Sequence, residues 1–293
     1  MFEGTHTALV TPFRDDQFDV DAFRKLIEFQ IAEGISGIVP VGTTGESPTV
    51  SHEEHNEVIR VAVETAAGRC KVIAGAGSNS TREAIALSTE AEKLGADAVL
   101  SVAPYYNKPS PEGLYRHFRA IAESVKIPVV LYSIPSRSGI EIGVETCVRL
   151  AKDCPNIVAI KESGGSMDRV NQLRLRLPES FEILSGDDYA TLQFMAAGAV
   201  GVISVASNII PREVVHMVNS WLAGKPAGAQ KLHRKYYRFF HDIFIEPNPA
   251  PIKFALAQQG RMTPDVRLPL CEMTAASQER LLASLREYGL IPA

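Results

Sequence analysis

A (β/α)8 barrel with a C-terminal helical extension is the fold class this sequence predicts, on three observations. Eight short apolar runs alternate with longer segments of helical period. The runs are apolar nearly throughout, as parallel strands covered on both faces are, rather than alternating apolar and polar. Eight such units in roughly 220 residues match a closed barrel better than an open doubly wound sheet. The open sheet would also want a Gly-x-Gly-x-x-Gly turn after its first strand, and Thr11-Pro12-Phe13-Arg14 is nothing like it.

In chain order the strands are expected at Thr7–Val10, Ile35–Val41, Lys71–Ala76, Ala98–Ala103, Pro128–Ile134, Ile157–Lys161, Phe181–Ser185 and Val200–Val205. Between them, helical patterns cover Asp21–Glu33, Glu53–Ala67, Thr81–Leu94 and Pro111–Val125. Ser51 before Glu54, and Ser80 before Glu83, have the spacing of capping boxes, in which each residue's side chain satisfies the other's backbone N–H. Gly34 and Gly95 stand where two helices should stop. Pro40 lies inside the expected second strand, where it cannot donate a ladder hydrogen bond, and marks a bulge near the strand end. Beyond Ile210 the pattern is only helical, through Lys231–Ile245, Ala250–Gln259 and Ala275–Tyr288, with the eighth barrel helix expected in the first of these. The expected division is a barrel over residues 1–224 and a helical region over 225–293.

Composition narrows the function. With 45% hydrophobic and 22% charged residues, the 293-residue chain is an ordinary globular protein. A formal net charge of -4, with no run of Lys and Arg among aromatics, argues against a nucleic-acid partner. No apolar run approaches the roughly 20 residues of a membrane span, and Met1–His6 has no basic leader, so a cytoplasmic protein is expected. Four scattered cysteines, Cys70, Cys147, Cys154 and Cys271, form no CxxC pair and read as reduced thiols.

In a (β/α)8 barrel the active site is built where strands end. The polar residues expected there are Thr43 and Thr44 after strand two, Tyr105 and Tyr106 after strand four, Tyr132 and Arg137 at strand five, Lys161 in strand six, and Gly186-Asp187-Asp188 after strand seven. Lys161 closes the apolar run Ile157–Ile160. Burial penalises a charged ammonium, and a neutral amine attacks ketones and aldehydes, so the position suits Schiff-base chemistry. Its plain alternative is a lysine that reaches back to water. Gly42–Ser47 is a small-residue turn whose N–H groups suit a carboxylate, but it lacks the lysine of a phosphate loop. Arg137 can grip a carboxylate with two parallel bonds, or simply be solvated. Asp187-Asp188 reads as an acid/base pair or, more plainly, as the cap of the seventh helix. His52 and His55 share one helix face without the His-Glu-x-x-His spacing or a third ligand, so no metal site is assigned.

Taken together, Gly42–Ser47, Pro104-Tyr105-Tyr106-Asn107, Tyr132 with Pro135-Ser136-Arg137, Ile160-Lys161-Glu162 and Ser185–Asp188 resemble the dihydrodipicolinate synthases, pyruvate-dependent class I aldolase-like enzymes. The resemblance runs from Gly4 to the Phe244–Pro249 segment. It implies that Lys161 forms a Schiff base with pyruvate, whose enamine attacks aspartate 4-semialdehyde without any cofactor. It also implies a proton relay of Thr43, Tyr132 and Tyr106, the last lent by a neighbouring subunit of a homotetramer. Thr44 would hold the pyruvate carboxylate, Arg137 the semialdehyde carboxylate, and Gly186 and Ile203 would line the pocket. Ser47, His52, His55, Asn79, Glu83 and Tyr105 match the family's site for L-lysine as effector. Pro48 and Ser133 depart from the family's small residue and asparagine.

Three rival readings remain at this point. A sugar-acid aldolase of the N-acetylneuraminate lyase kind would carry Gly-Ser-Thr-Gly-Glu in place of Gly42–Glu46 and lack the Ser136-Arg137 pair. A non-catalytic barrel binding lysine would keep only the second set of residues. A phosphate-binding barrel would use the loops after strands seven and eight, where nothing basic stands.

Overall fold

The computed structural model describes residues 1–292. Eight parallel strands close a barrel: β1 (Gly4–Ala8), β2 (Gly37–Val39), β3 (Lys71–Gly75), β4 (Ala98–Val102), β5 (Val129–Ser133), β6 (Ile157–Glu162), β7 (Glu182–Ser185) and β8 (Gly201–Ser204). Each pairs with its chain neighbour and β8 returns to β1, so no edge is left open. All eight expected strands are present, most of them a residue or two shorter than the apolar runs. β2 stops at Val39, so Pro40 ends the strand and needs no ladder bond; its carbonyl accepts from the Gly75 N–H at 3.0 Å.

The helices are α1 (Val20–Ala32), α2 (His52–Ala66), α3 (Thr81–Lys93), α4 (Pro111–Ser124), α5 (Val144–Asp153), α6 (Met167–Arg176), α7 (Thr191–Ala196), α8 (Pro211–Leu222), α9 (Pro226–Asp242), α10 (Ala250–Gln258) and α11 (Ala275–Glu287). Leu26 and Ile27 of α1, like Val58 and Ile59 of α2, point into the core and are essentially inaccessible to water. Burying a side chain of that size is worth roughly 1.5–3 kcal/mol. Gly34 and Gly95 both take the left-handed conformation, with φ of 83° and 89°, and end α1 and α3 as expected.

Two expectations fail locally, and one element was not expected at all. The eighth barrel helix is α8, which lies before the region expected to contain it and is separated by Ala223–Lys225 from α9. Ser51 and Glu54 form the full capping box, but at α3 only Ser80 caps, because the Glu83 carboxylate turns to Ser78 and His52 instead. An antiparallel hairpin, Phe13–Arg14 with Gln17–Phe18, occupies a stretch with no strand pattern; Asp15 and Asp16 supply its turn with φ of 51° and 60°.

Where β8 meets β1 the closure is locked by buried amides. Gln30 donates to the Ser207 carbonyl at 2.9 Å and accepts from Thr7 Oγ1 at 2.6 Å, while Asn208 donates to the Ala8 carbonyl at 2.8 Å. No helix among the described residues is long and apolar enough to cross a membrane.

Candidate active site

Register explains the first pair of site residues. Tyr132 and Lys161 are opposite one another on β5 and β6, so both side chains leave the sheet at one level. The Lys161 ammonium nitrogen sits 4.3 Å from the centre of the Tyr132 ring. Lys161 is 6% exposed and pairs with no carboxylate among the described residues. Gly186, after β7, gives this side chain its channel: a Cβ there would stand 2.9 Å from Lys161 Cε and collide with the buried Ser163 hydroxyl.

The Gly42–Ser47 turn faces them across the mouth. It is tightly wound, with Gly45 N–H to Gly42 O and Glu46 N–H to Thr43 O, both at 3.1 Å. The Thr43 and Thr44 N–H groups have no acceptor among the described residues. Val41 and Glu46 bracket the turn with φ of 46° and 55°, a strained choice for residues with a side chain. Asn248, between α9 and α10, donates to Thr44 Oγ1 at 3.0 Å.

Thr43, Thr44, Tyr132, Arg137, Lys161 and Gly186 thus line one cavity of about 40 Å³. Arg137 rides on a single helical turn, Pro135–Ser138, and is exposed. Ile203 is buried in β8 and is not part of this wall; Val205, two residues on, is. Tyr106 stands outside altogether, 90% exposed, on a loop where it and Lys108 have φ of 72° and 43°. Phe244 and Asn248 complete the wall, and residue-by-residue reading missed both, although Glu246-Pro247-Asn248-Pro249 is an unusual enough run to have marked the place.

Asp187 and Asp188 do not cap their helix, since neither side chain bonds its first turn. Asp188 is buried and accepts from Ser204 Oγ at 2.5 Å and from the Val205 and Ala206 N–H groups at 3.0 Å, bracing the chain as it leaves β8. Asp187 lines the cavity, and burial pushes its carboxyl up to about 6, against the opposing pull of Lys161. Behind Lys161, Glu162 is held by Arg169 at 2.7 Å and by the Gly164 N–H at 2.7 Å; Arg169 also reaches Glu141 and the Ile142 carbonyl. Burial raises the Glu162 carboxyl even so. The Ser133 hydroxyl, in the family's asparagine position, accepts from the Ile142 N–H at 3.4 Å rather than touching Tyr132.

A second cavity, about 220 Å³, lies on the other side of the same turn. Ser47, Pro48, His52, His55, Glu83 and Tyr105 line it, and Asn79 is alongside, donating to the Tyr105 carbonyl at 3.1 Å. Its charge is set by Glu83, whose carboxyl is held below its usual range by the Ser78 hydroxyl and then by His52, 2.9 Å away. Burial lowers the His55 pKa, outweighing the ring's 2.7 Å bond to the Gly75 carbonyl. Among the described residues, no group of three or more His, Cys, Asp or Glu is placed to hold a metal ion. A larger groove, about 1090 Å³, runs between the hairpin, the start of α1 and residues 259–263.

A buried, unpaired lysine at the carboxyl end of a barrel strand, beside a tyrosine and a carboxylate-sized turn, defines the class I aldolase kind of lyase. The sequence profile of the dihydrodipicolinate synthetase family matches residues 1–288. A 4-hydroxy-tetrahydrodipicolinate synthase from Syntrophus aciditrophicus is 50% identical, with 99% of this chain and 100% of that one covered. The solved structure of the 4-hydroxy-tetrahydrodipicolinate synthase from Methylacidiphilum fumariolicum superposes with a TM-score of 0.98 at 52% identity, over 99% and 96% of the two chains. That of the Cyanidioschyzon merolae synthase, which has lysine bound, superposes with a TM-score of 0.96 at 41% identity, over 99% of each. The chain belongs to the dihydrodipicolinate synthetase family.

Proposed function

We propose that Lys161 is the residue on which pyruvate reacts in a 4-hydroxy-tetrahydrodipicolinate synthase, the activity by which its relatives are named. The overall reaction is the condensation of pyruvate with L-aspartate 4-semialdehyde, the first committed step of the diaminopimelate route to lysine. The observation that carries the assignment is the single small cavity shared by Lys161, Tyr132, Thr43, Thr44 and Arg137. The amine of Lys161 adds to C2 of pyruvate, and the carbinolamine loses water to give the imine. Loss of a C3 proton leaves an enamine, whose carbon attacks the aldehyde. The amino group of the semialdehyde then replaces the lysine nitrogen at C2, closing the ring and freeing the enzyme. One water leaves overall.

Each addition and elimination moves a proton, and the Tyr132 and Thr43 hydroxyls are the groups at hand. The free Thr43 and Thr44 N–H groups suit the pyruvate carboxylate. Arg137, at the open side, suits the carboxylate of the second substrate. Gly186 keeps the lysine's channel clear. Tyr106, bare on its own protomer, completes the relay of a neighbour in a homotetramer built as a dimer of dimers. The second cavity, with Glu83 as its fixed negative charge, accepts the ammonium of L-lysine as a feedback effector. Four free thiols, three of them buried, fit a cytoplasmic enzyme.

Borohydride reduction in the presence of pyruvate tests the central assignment. Mass spectrometry should find a pyruvate-derived adduct on Lys161, absent from Lys161→Ala; an unmodified Lys161 in the parent would overturn it. Dilution to the monomer should abolish turnover if Tyr106 is exchanged between subunits.

A further inference from the structure

The strained Gly42–Ser47 turn is held from outside by residues from the far end of the chain. Glu46 and Lys253, the latter in α10, are both fully buried and form an ion pair. The other Glu46 oxygen accepts from the Arg267 N–H at 3.1 Å, and Lys253 donates onward to the Asp265 carbonyl at 2.8 Å. Lys253 and Arg267 each lie 4.1 Å from the centre of the Phe13 ring, so both cations rest against that hairpin residue. Arg267 continues to the Thr49 carbonyl at 2.9 Å and to Glu54 at 2.8 Å. On the near side, Thr11 Oγ1 donates to the Gly45 carbonyl at 2.7 Å.

Stability does not account for this arrangement. A buried ion pair is commonly no better than well-packed apolar residues of the same volume. An apolar pair cannot, however, hold a glutamate backbone in the left-handed region at one fixed register. Such conformations persist where the surroundings over-determine them, and they gather at sites of chemistry. Glu46 lies two residues beyond Thr44, within the same set of turn hydrogen bonds.

We infer that Lys253 is a positioning residue for the reaction: by fixing Glu46 it sets the Thr43 and Thr44 groups where the pyruvate carboxylate must bind. This rests on the reading of that turn as the pyruvate site. The C-terminal helices then take part in substrate binding without touching substrate, except through Phe244 and Asn248 at the wall.

The test compares three variants with the parent in steady-state kinetics and borohydride trapping. Lys253→Met alone would strand a buried carboxylate, so it is combined with Glu46→Gln. The double variant should raise the KM for pyruvate roughly tenfold while the KM for the semialdehyde stays within about twofold, a split that general loosening would not produce. Glu46→Gln alone keeps an acceptor for the Arg267 N–H and leaves Lys253 its bond to the Asp265 carbonyl, and should move the pyruvate KM the same way by roughly threefold. Where the double variant fails to fold, this single variant decides. Thr44→Val is the control for the underlying reading and should also raise the pyruvate KM. If it does while Glu46→Gln and any folded double variant leave that constant unchanged, Lys253 is not a positioning residue. If Thr44→Val leaves it unchanged, the turn is not the pyruvate site, and the inference falls with it.

Discussion

The two cavities that share the Gly42–Ser47 turn are built from different material. The one around Lys161 is walled by strand ends, with Val39, Leu100, Tyr132, Lys161 and Gly186 contributed by β2, β4, β5, β6 and the exit of β7. Its geometry is inherited from barrel register, which leaves little freedom to any one residue. The second is walled by helix starts and connecting loops: His52 and His55 open α2, Glu83 opens α3, and Tyr105 belongs to a loop. His52 there is well exposed and Glu83 half-buried. The buried lysine is thus placed on the stiff frame, and the more exposed surface lies behind it. Three physical links join the second cavity to the first: the turn itself, the Tyr105-Tyr106 loop, and Glu54 of α2 through Arg267 to Glu46.

If that contrast is right, small steric errors at the strand ends should be far more damaging than charge changes behind them. The largest effect is expected for Gly186→Ala, whose methyl group would displace Lys161 Cε. Turnover should fall by roughly a thousandfold, with pyruvate trapping lost as well. Near-normal kinetics would mean that the lysine is not confined as described. Next comes Arg137→Ala, expected to lower kcat/KM for the semialdehyde by roughly a hundredfold while the extent of pyruvate trapping changes less than about twofold. Equal damage to both steps would remove the arginine from its role.

Behind the turn, Glu83→Gln removes the fixed negative charge of the second cavity. Inhibition by L-lysine should need roughly tenfold more ligand, with turnover in its absence within about twofold of the parent. An unchanged dose response would break the proposed division between the cavities. The smallest effect concerns Asp187. Its folded pKa, about 6, lies above the usual carboxylate value, so its ionisation opposes folding. That destabilisation is absent below the unfolded pKa, grows as pH rises, and is complete above about 6. Asp187→Asn should therefore match the parent near pH 3.5 and melt roughly 2–4 °C higher at pH 8. A variant that melts lower at pH 8 would show that the carboxylate is favourably paired there.

Legibility divided along the same line. All eight strands and the residues at their ends could be read locally, because buried parallel strands leave continuous apolar runs and barrel closure brings their ends together. The family resemblance supplied the second cavity, whose residues have no shared local pattern. What failed were contacts in which one segment borrows from another. Glu83 has the spacing of a capping box and gives its carboxylate to Ser78 and His52. Asp188 looks like a cap for its own helix and instead braces the exit of β8. Lys253 sits in the apolar run Ala250–Ala257, and nothing nearby in the chain announces Glu46 as its partner. Asp15 and Asp16 make a hairpin because both tolerate positive φ, a signal present in the sequence but lacking any apolar alternation around it.

The arginine at the open side stands apart from this frame. Its helical turn closes on itself, through Ser138 Oγ to the Ile134 and Ile140 carbonyls and the Gly139 N–H to Pro135 O. If Arg137 receives the second substrate as proposed, a library of variants across residues 134–140 should exchange that cap and admit a different aldehyde. The keto-acid half of the catalyst would be inherited intact.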